Sequence, residues 1–253
     1  MPDSELQRIH SFQSAFARRQ AARVVDLPGG FAVYDDDFAH SRANNQVYID
    51  ETADFEAVPA IAEQALGQLS HRFVSVLDDE AGKACAQPLI RAGYTHFSYL
   101  IMLHEGPVPG GGGAHEVDLD ALRGPLTRRW RGLLPDVGDD VVHHLVDRRE
   151  ARRRGADIVR FLAARTEEGE VASWADLYLD PATGMAQIED LITAEAHLRR
   201  GYADAVLTSA LRMAADKGCA TRFLTADAQD WPRQWYERRG FSAVGRSHCF
   251  QRG

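Results

Sequence analysis

Residues 191–203 read LITAEAHLRRGYA, and they place an apolar strand, a basic loop and a helix start in direct succession. The first backbone N–H groups of a helix have no acceptor within the helix, and they carry the positive end of its dipole. This pattern favours an anion such as a pyrophosphate at the helix start. Gly201 and the small Ala203 leave room for it, and Arg199 and Arg200 add charged donors. A plain connection between strand and helix, with solvated arginines, is the alternative interpretation.

The sequence around this stretch predicts an antiparallel meander before it and a helix, a strand, a short helix and a strand after it. The helix at 201–217 is predicted from apolar residues that recur at i, i+3, i+4 and i+7, with Gly218 as its cap. The predicted strands are 157–164, Val171–Asp180, Met185–Thr193, 221–225 and 241–251, and the predicted helices are 140–153, 201–217 and 230–239.

The N-terminal part of the chain predicts a similar order: a meander, a helix, a strand, a helix and a strand. Residues 71–73 (HRF) and 91–94 (RAGY) correspond to 221–223 (TRF) and 239–241 (RGF). We interpret this as a degenerate internal duplication, and a general α+β cap is the alternative. The predicted strands are 23–26, 31–34, Gln46–Ile49, 72–77 and 94–103, and the predicted helices are 55–69 and Asp79–Arg91.

A segment rich in proline and glycine, 107–113 (PVPGGGG), separates the two parts. Such a segment has few side chains to bury and favours a linker. We therefore expect one domain at 1–106, a linker at 107–114 and a second domain at 115–253. A phosphate-binding glycine loop is the alternative, but the dipeptide AH follows where such a loop has Gly-Lys-Ser/Thr.

The composition excludes several classes of partner. The chain has 253 residues, of which 45% are hydrophobic, and a formal net charge of −8. This length allows one or two domains. An acidic protein gains nothing from phosphate electrostatics, so we expect no nucleic-acid partner. No apolar run approaches the roughly 20 residues of a membrane helix, and no signal pattern is present, so we expect no membrane association.

Cysteine and lysine usage point to a compartment and a source. The three cysteines, Cys85, Cys219 and Cys249, form no C-x-x-C pair, so we expect reduced thiols in a cytoplasmic protein. Lys83 and Lys217 are the only lysines beside many arginines, and alanine is abundant. This composition is typical of a bacterium with GC-rich DNA.

A second motif lies near the end of the chain, where 235–241 reads WYERRGF with the pattern Y-x-x-x-G-F. Over 140–251, the order of elements, the basic turn into a helix and this ending resemble the GNAT superfamily of N-acetyltransferases. The resemblance implies the α+β acyl-CoA N-acyltransferase fold, a mixed and mostly antiparallel sheet flanked by helices, here preceded by a degenerate GNAT-like unit. It also implies transfer of an acetyl group from acetyl-CoA to a primary amine.

The resemblance further implies a binding site for acetyl-CoA as co-substrate, and no metal. The superfamily's pyrophosphate motif, Gln/Arg-x-x-Gly-x-Gly/Ala, matches 198–203 (LRRGYA) except at Leu198. This departure affects one side-chain contact and leaves the backbone contacts in place. Early in the last helix, where the superfamily often has asparagine, this chain has Gln229 or Asp230. The implied contacts are the backbone of Leu191, Ile192 and Thr193 to the pantetheine arm, and Arg199, Arg200, Gly201, Tyr202, Ala203 and Asp204 to the pyrophosphate.

Two side chains take the implied acid–base roles. Tyr236 stands where the superfamily has its general acid, which protonates the leaving thiolate; packing against the helix is its alternative role. An amine with a pKa near 10.4 is almost fully protonated at neutral pH, so a base is needed as well. The superfamily often carries an acidic base on the strand Met185–Thr193, where Glu189 shares a face with Gln187, and Asp190 lies opposite unless a bulge intervenes. We favour Glu189 over Asp190, acting directly or through water. A strand-edge carboxylate paired with one of the many arginines is the alternative interpretation.

The histidines give no metal site. His143 and His144 are adjacent on a predicted helix, so their side chains point about 100° apart, and no further ligand is spaced to join them. His115, His197 and His248 are isolated. We therefore expect no bound metal.

The N-terminal part lacks both motifs. Residues 50–54 read DETAD where a pyrophosphate loop would lie, and these acidic side chains would repel a phosphate. Leu89 stands at the position that corresponds to Tyr236. We therefore expect this part to cover the sheet and shape the amine pocket without binding acetyl-CoA, as in tandem GNAT proteins.

Two other functions remain open. One is transfer of a longer acyl group by the same machinery, and the other is a non-catalytic acetyl-CoA-binding sensor or scaffold. If the protein is an enzyme, no cysteine stands at an expected acyl-enzyme position, so the amine of a small molecule or peptide should attack directly. We expect a monomer or a homodimer.

Overall fold

The computed structural model describes residues 4–50 and 54–253, which hold eight α-helices and eleven β-strands. The helices are α1 Glu5–Gln20, α2 Val58–Leu66, α3 Asp79–Arg91, α4 Leu119–Leu133, α5 Asp139–Asp147, α6 Arg149–Arg152, α7 Tyr202–Asp216 and α8 Pro232–Glu237. The strands are β1 Arg23–Leu27, β2 Gly30–Tyr34, β3 Gln46–Ile49, β4 Arg72–Val76, β5 Thr95–His104, β6 Ala114–Val117, β7 Ile158–Arg165, β8 Val171–Asp180, β9 Met185–Thr193, β10 Thr221–Asp227 and β11 Phe241–Arg252. Every strand and helix expected from the sequence is present, and the helix predicted at 140–153 is divided into α5 and α6.

Three elements were not predicted: α1, β6 and α4. The start of α1 is a capping box, in which the Ser4 hydroxyl accepts from the Gln7 N–H and the Gln7 side chain accepts from the Ser4 N–H. Helix α4 runs through Gly124 and Pro125, two residues that normally weaken a helix interior. It forms nonetheless, because its apolar face is buried in one cluster with α5, β7 and β8.

The chain forms two compact units. The first contains the residues up to Met102 together with Thr225–Glu237 and Ser242–Gly253. Its strands follow the order β1-β2-β3-β4-β11-β5, and β11 pairs antiparallel with β4, where His248 lies opposite Val76. Helices α2 and α3 contribute to its main apolar cluster, and α1 packs on β2.

This grouping differs from the boundaries expected from the sequence, 1–106, 107–114 and 115–253. The first break, after Met102, lies close to the expected linker. The last strand was expected in the domain at 115–253, but its backbone hydrogen bonds with β4 place it in the first unit. Strand pairing over such a distance along the chain is not visible in a local sequence pattern.

The second unit contains Leu103–Leu224 and Arg238–Phe241. Its strands follow the order β10-β9-β8-β7-β6, antiparallel from β6 to β9, with β10 parallel to β9. Strand β8 is buried at every residue of 171–179, so both its faces are covered. Helices α4 and α5 share an apolar cluster with β7 and β8, and α7 also packs on this sheet. This is the mixed, mostly antiparallel sheet flanked by helices that the resemblance implies.

The C-terminal end of the expected linker, 107–114, is held against α7 by a hydrogen bond. The N–H of Ala114, the first residue of β6, donates to the Ser209 hydroxyl of α7 over 3.2 Å. The glycine segment therefore leads directly into an edge strand of the second unit.

The glycine of the Y-x-x-x-G-F motif lies at a close crossing of two backbone segments. Gly240 has a φ of +82°, and a Cβ at this position would lie 2.9 Å from the Gly106 Cα. The Glu105 and Gly106 N–H groups both donate to the Gly240 carbonyl, over 2.8 and 3.2 Å. A larger residue at position 240 would therefore combine a strained backbone with a steric clash.

Candidate active site

The second half of β9 has a backbone edge that β10 does not occupy. Among the described residues, the parallel pairing of β9 with β10 runs from Met185 opposite Thr221 to Ile188 opposite Leu224 and ends there. On its other side β9 stays paired with β8, up to Thr193 opposite Ser173. The backbone of the last five residues of β9 is thus held by one neighbouring strand.

A β-bulge interrupts this second half. The register between β8 and β9 passes from Trp174 opposite Ile192 to Asp176 opposite Glu189, so β9 has one extra residue in between. Asp190 lies in this bulge with a φ of +50°, in the left-handed region that aspartate tolerates better than most residues. The β-bulge, which the sequence analysis kept as an alternative at this strand, is therefore present.

The bulge brings Asp190 to the face of Glu189. Glu189 lies directly opposite Asp176, so these two side chains share a face of the sheet. Asp190 shares partners with Asp176: Arg149 Nε donates to Asp176 Oδ1 over 3.1 Å, and Arg149 Nη2 donates to Asp190 Oδ2 over 2.8 Å. Arg152 Nη1 also donates to both, with 2.8 Å to Asp190 Oδ2.

This ionic cluster was not predicted from the sequence. Asp176 is fully buried and Arg149 is 1% exposed, and the Tyr178 hydroxyl donates to Asp176 Oδ2 over 3.3 Å. Two signals were available: an aspartate within an otherwise apolar strand, and arginines three residues apart on α6, Arg149 and Arg152. Neither signal predicts the ion pairs between them, because the aspartate and the arginines lie more than twenty residues apart in the sequence.

Glu189 has the surroundings of a proton acceptor. Gln187 Nε2 donates to Glu189 Oε2 over 2.7 Å and fixes that oxygen. Burial, and next the negative charge of Asp190, raise the pKa of Glu189 to about 7, against the opposing effect of Arg152. A carboxyl with such a pKa exchanges its proton near neutral pH.

Asp190 has the opposite character. Burial disfavours its ionised form, but Arg152, Arg149 and Arg148 outweigh this effect and hold the pKa of Asp190 well below its usual range. Arg148 contributes from 4.0 Å. The adjacent carboxyls of β9 thus divide into one that titrates near pH 7 and one that stays ionised.

The predicted anion site at the start of α7 is open. Gly201 has a φ of +83° and caps the helix, and a Cβ there would meet no atom within 4 Å. Arg199 and Arg200 are exposed beside it, and Leu198 is 51% exposed. The first helical hydrogen bond at this end runs from the Ala205 N–H to the Gly201 carbonyl over 3.1 Å.

The N–H groups of Tyr202, Ala203 and Asp204 precede that bond, so they have no acceptor within the helix. The ring of Tyr202 contacts His197 edge to face, with centroids 5.9 Å apart. The Asp204 carboxylate pairs with Arg239. Asp204 would therefore contribute to an anion site through its backbone N–H and not through its side chain.

Tyr236 and Gln229 lie in the segment that belongs to the first unit. Tyr236 is in α8, is 8% exposed, and its ring meets that of Trp235 edge to face at 5.0 Å. Gln229 is exposed, and its N–H donates to Asp227 Oδ1 over 2.8 Å. The other predicted site residues, Glu189, Leu191–Thr193 and Arg199–Asp204, lie in the second unit on β9 and on the loop and helix that follow it.

The counterparts in the N-terminal part differ in kind. Of the acidic stretch at 50–54, residues 51–53 lie outside the described part of the chain. Leu89, at the position that corresponds to Tyr236, is fully buried in the main apolar cluster of the first unit. It serves as a core residue there.

Two searches of the described residues concern other kinds of site. In 4–50 and 54–253, no group of three or more His, Cys, Asp or Glu side chains is arranged to hold a metal ion. Within the same ranges, no helix combines the length and the apolar character that crossing a membrane requires.

Comparisons with known proteins bear on the fold and on the family of part of the chain. Residues 127–241 match the model of the acetyltransferase (GNAT) family. A GCN5-related N-acetyltransferase from Kribbella flavida is 19% identical with a TM-score of 0.63, over 97% of this chain and 95% of that one. A conserved protein of unknown function from Staphylococcus epidermidis is 12% identical with a TM-score of 0.67, over 92% and 94% of the two chains.

A GNAT-family acetyltransferase from Colwellia psychrerythraea is 14% identical with a TM-score of 0.54, over 99% of this chain and 98% of that one. At these identities the likeness shows the fold. A comparison with curated protein sequences finds no match. The chain therefore has the fold of these acetyltransferases, and its residues 127–241 match the model of the acetyltransferase (GNAT) family.

Proposed function

We propose that this protein transfers an acetyl group from acetyl-CoA to the primary amine of a small molecule or peptide, by direct attack of the amine on the thioester. The observation that carries this proposal is the half-buried Glu189, a carboxyl with a pKa of about 7, at the point where β9 separates from β10. A base with a pKa near the working pH is well suited to accept the proton of an attacking amine.

The second half of β9 and the start of α7 would hold acetyl-CoA. The backbone of Leu191, Ile192 and Thr193 can hydrogen-bond the pantetheine arm on the edge that β10 leaves free. The free N–H groups that follow Gly201, with Arg199 and Arg200, suit the two negative charges of the pyrophosphate. The exposed Leu198 adds no polar contact.

Glu189 would accept the proton of the amine. At pH 7 only about one in a few thousand molecules of an amine with a pKa near 10.4 is neutral, so proton removal limits the attack. As the C–N bond forms and the C–S bond breaks, Glu189 takes the amine proton. The family resemblance assigns protonation of the departing sulfur to the Tyr236 hydroxyl. Asp190 is less suited to this role, since Arg149 and Arg152 already occupy its carboxylate.

Replacing Gly201 with glutamate should abolish binding of acetyl-CoA, because a carboxylate would enter the anion site at the start of α7. At 100 times its dissociation constant, acetyl-CoA should stabilise the parent protein by about 2.7 kcal/mol, or about 5–10 °C in Tm. A thermal shift assay should show this increase for the parent and none for Gly201→Glu.

The matched control for this variant is Gly218→Glu, at the other end of α7. Gly218 also has a positive φ, +78°, and a Cβ there meets no atom within 4 Å. This variant should keep the full shift with acetyl-CoA. Equal shifts for the parent and Gly201→Glu would refute the proposed pyrophosphate site.

Replacing Tyr236 with phenylalanine should lower kcat by about tenfold to a hundredfold. The effect is at the low end for a general acid, because a thiolate whose conjugate thiol has a pKa near 8.5 is already a fair leaving group. Release of free thiol from acetyl-CoA gives the rate. The control is Tyr48→Phe, which removes the hydroxyl of a tyrosine whose ring stacks on that of Phe31. An unchanged kcat for Tyr236→Phe would contradict the role of Tyr236 as general acid.

A panel of amines separates the proposed enzyme from its alternatives. Binding of acetyl-CoA without turnover of any amine would favour a non-catalytic sensor or scaffold. Faster turnover with a longer acyl-CoA would favour a different acyl donor.

We also infer a cytoplasmic location. The three cysteines, Cys85, Cys219 and Cys249, are free and buried, as is common where thiols stay reduced.

A further inference from the structure

Two neighbouring carboxyls of β9 lie on one face but in different surroundings. Asp190 accepts from Arg149 and from Arg152, each over 2.8 Å. Glu189 accepts from the uncharged amide of Gln187, and among the described residues no guanidinium lies within 4.0 Å of its carboxylate. The bulge is what permits this arrangement, because in a regular strand the two side chains would point to opposite faces.

The charges around Glu189 come from α6, the residue that joins it to α5, and strands β8 and β9. The charged and polar groups of this cluster are Arg148, Arg149, Arg152, Asp176, Asp190, Gln187 and Tyr178. Burial raises the pKa of the Tyr178 phenol well above its ordinary value, so it carries no charge. Burial lowers the pKa of Arg148 to about 10, so it remains protonated at neutral pH.

Three guanidiniums and two aspartates leave an excess of one positive charge. Loss of the proton from Glu189 neutralises the cluster. Without the charge of Asp190 the excess would be two, and the ionised form of Glu189 would be favoured more strongly. Opposite charges at such distances commonly move a pKa by one to three units.

We propose that Asp190 is a positioning residue for the acid–base step: fixed by Arg149 and Arg152, it holds a permanent negative charge that leaves Glu189 as the carboxyl that exchanges a proton with the amine. This inference rests on the proposed function of Glu189 as the base. Asp190 itself touches no substrate; it acts through the arginines and through the charge that it places beside Glu189.

The Asp190→Asn variant tests this role with little change in shape. Asparagine has the size of aspartate and is also tolerated in the left-handed region, so the bulge can be retained. Arg149 and Arg152 keep Asp176 as a partner. A second variant, Arg152→Gln, changes the charge in the opposite sense and provides an independent arm if the first one folds poorly.

The pKa of Glu189 can be measured without substrate, by carbon-13 NMR titration of the full chain with labelled glutamate. Glu189→Gln identifies the signal. We expect Asp190→Asn to lower the midpoint by about one to two pH units and Arg152→Gln to raise it. The midpoint of the double variant should return close to that of the parent, and Glu116→Gln, at an exposed residue of β6, should leave the midpoint unchanged.

The acid limb of kcat/KM for an amine should shift in the same directions, because only ionised Glu189 can accept the proton. An unchanged midpoint in folded Asp190→Asn, or shifts of the same sign in both single variants, would overturn the proposal. A midpoint that moves while the acid limb stays in place would also overturn it, since Glu189 would then not exchange the proton. Absence of turnover in the parent would count against the proposed function, and the NMR titration would still decide whether Asp190 sets the proton affinity of Glu189.

Discussion

An Asp176→Asn variant should have a free energy of unfolding lower than that of the parent by about 3–5 kcal/mol, because the change leaves buried guanidiniums short of a carboxylate. Asp176 is fully buried and bonds both Arg149 and Arg152, and Arg149 is 1% exposed. Breaking one partner out of a buried ion pair costs much more than removing a surface pair, since the remaining charge cannot reach water.

Chemical denaturation followed by tryptophan fluorescence measures this effect, because Trp174 is buried on β8 two residues from Asp176. The matched control is Asp120→Asn, which removes the carboxylate of an exposed pair with Arg123 at 2.9 Å. That change should cost no more than about 1 kcal/mol. Equal losses for the two variants would show that the buried cluster contributes no more than a surface pair.

The buried cluster also bears on function. A well-packed apolar core of the same volume is often as stable as a buried ion pair or more so, so such a cluster is weak evidence for a purely structural role. Here it lies directly against Glu189, whose pKa depends on it. The backbone next to Glu189 is also in a less favoured conformation, since Asp190 has a positive φ. Charge and backbone geometry thus converge on the carboxyl proposed as the base.

The sequence predicted the elements that local patterns determine. The strands Val171–Asp180 and Met185–Thr193 have the predicted ends, because turn residues border them and their apolar content is high. The helix at Tyr202–Asp216 follows from its regular apolar spacing and its flanking glycines. The glycine at its start, Gly201, was also predicted to leave space there. A helix start that needs a positive φ or room for a ligand favours glycine, so the sequence alone indicates this feature.

What the sequence could not predict depends on contacts between distant residues. The bonds of Asp190 and Asp176 join residues 24 to 41 positions apart, so no short window contains both partners. The bulge is seen only in the register of β9 against β8, and without it Asp190 would face away from Glu189. The pairing of β11 with β4 is likewise set by the fold as a whole.

Replacing Glu189 with glutamine should lower kcat/KM for the amine by about 10²–10⁴-fold at pH 7, the range that a positioned base contributes. Glutamine has nearly the same shape and can still bond Gln187, so the strand edge and the site for acetyl-CoA should persist. The thermal shift with acetyl-CoA should therefore be unchanged, which separates a loss of chemistry from a loss of binding. Glu116→Gln is the control for removal of a carboxylate.

The pH dependence makes this prediction sharper. In the parent, activity should fall as the pH drops through about 7, because Glu189 then holds a proton and cannot accept one. In Glu189→Gln the rate depends on the fraction of amine that is already neutral, which rises about tenfold per pH unit up to a pKa near 10.4. The ratio of kcat/KM in the parent to kcat/KM in the variant should thus fall steadily from pH 7 towards pH 10. A ratio that stays constant over this range would mean that Glu189 does something other than remove the amine proton, and full activity of the variant at pH 7 would exclude it as the base.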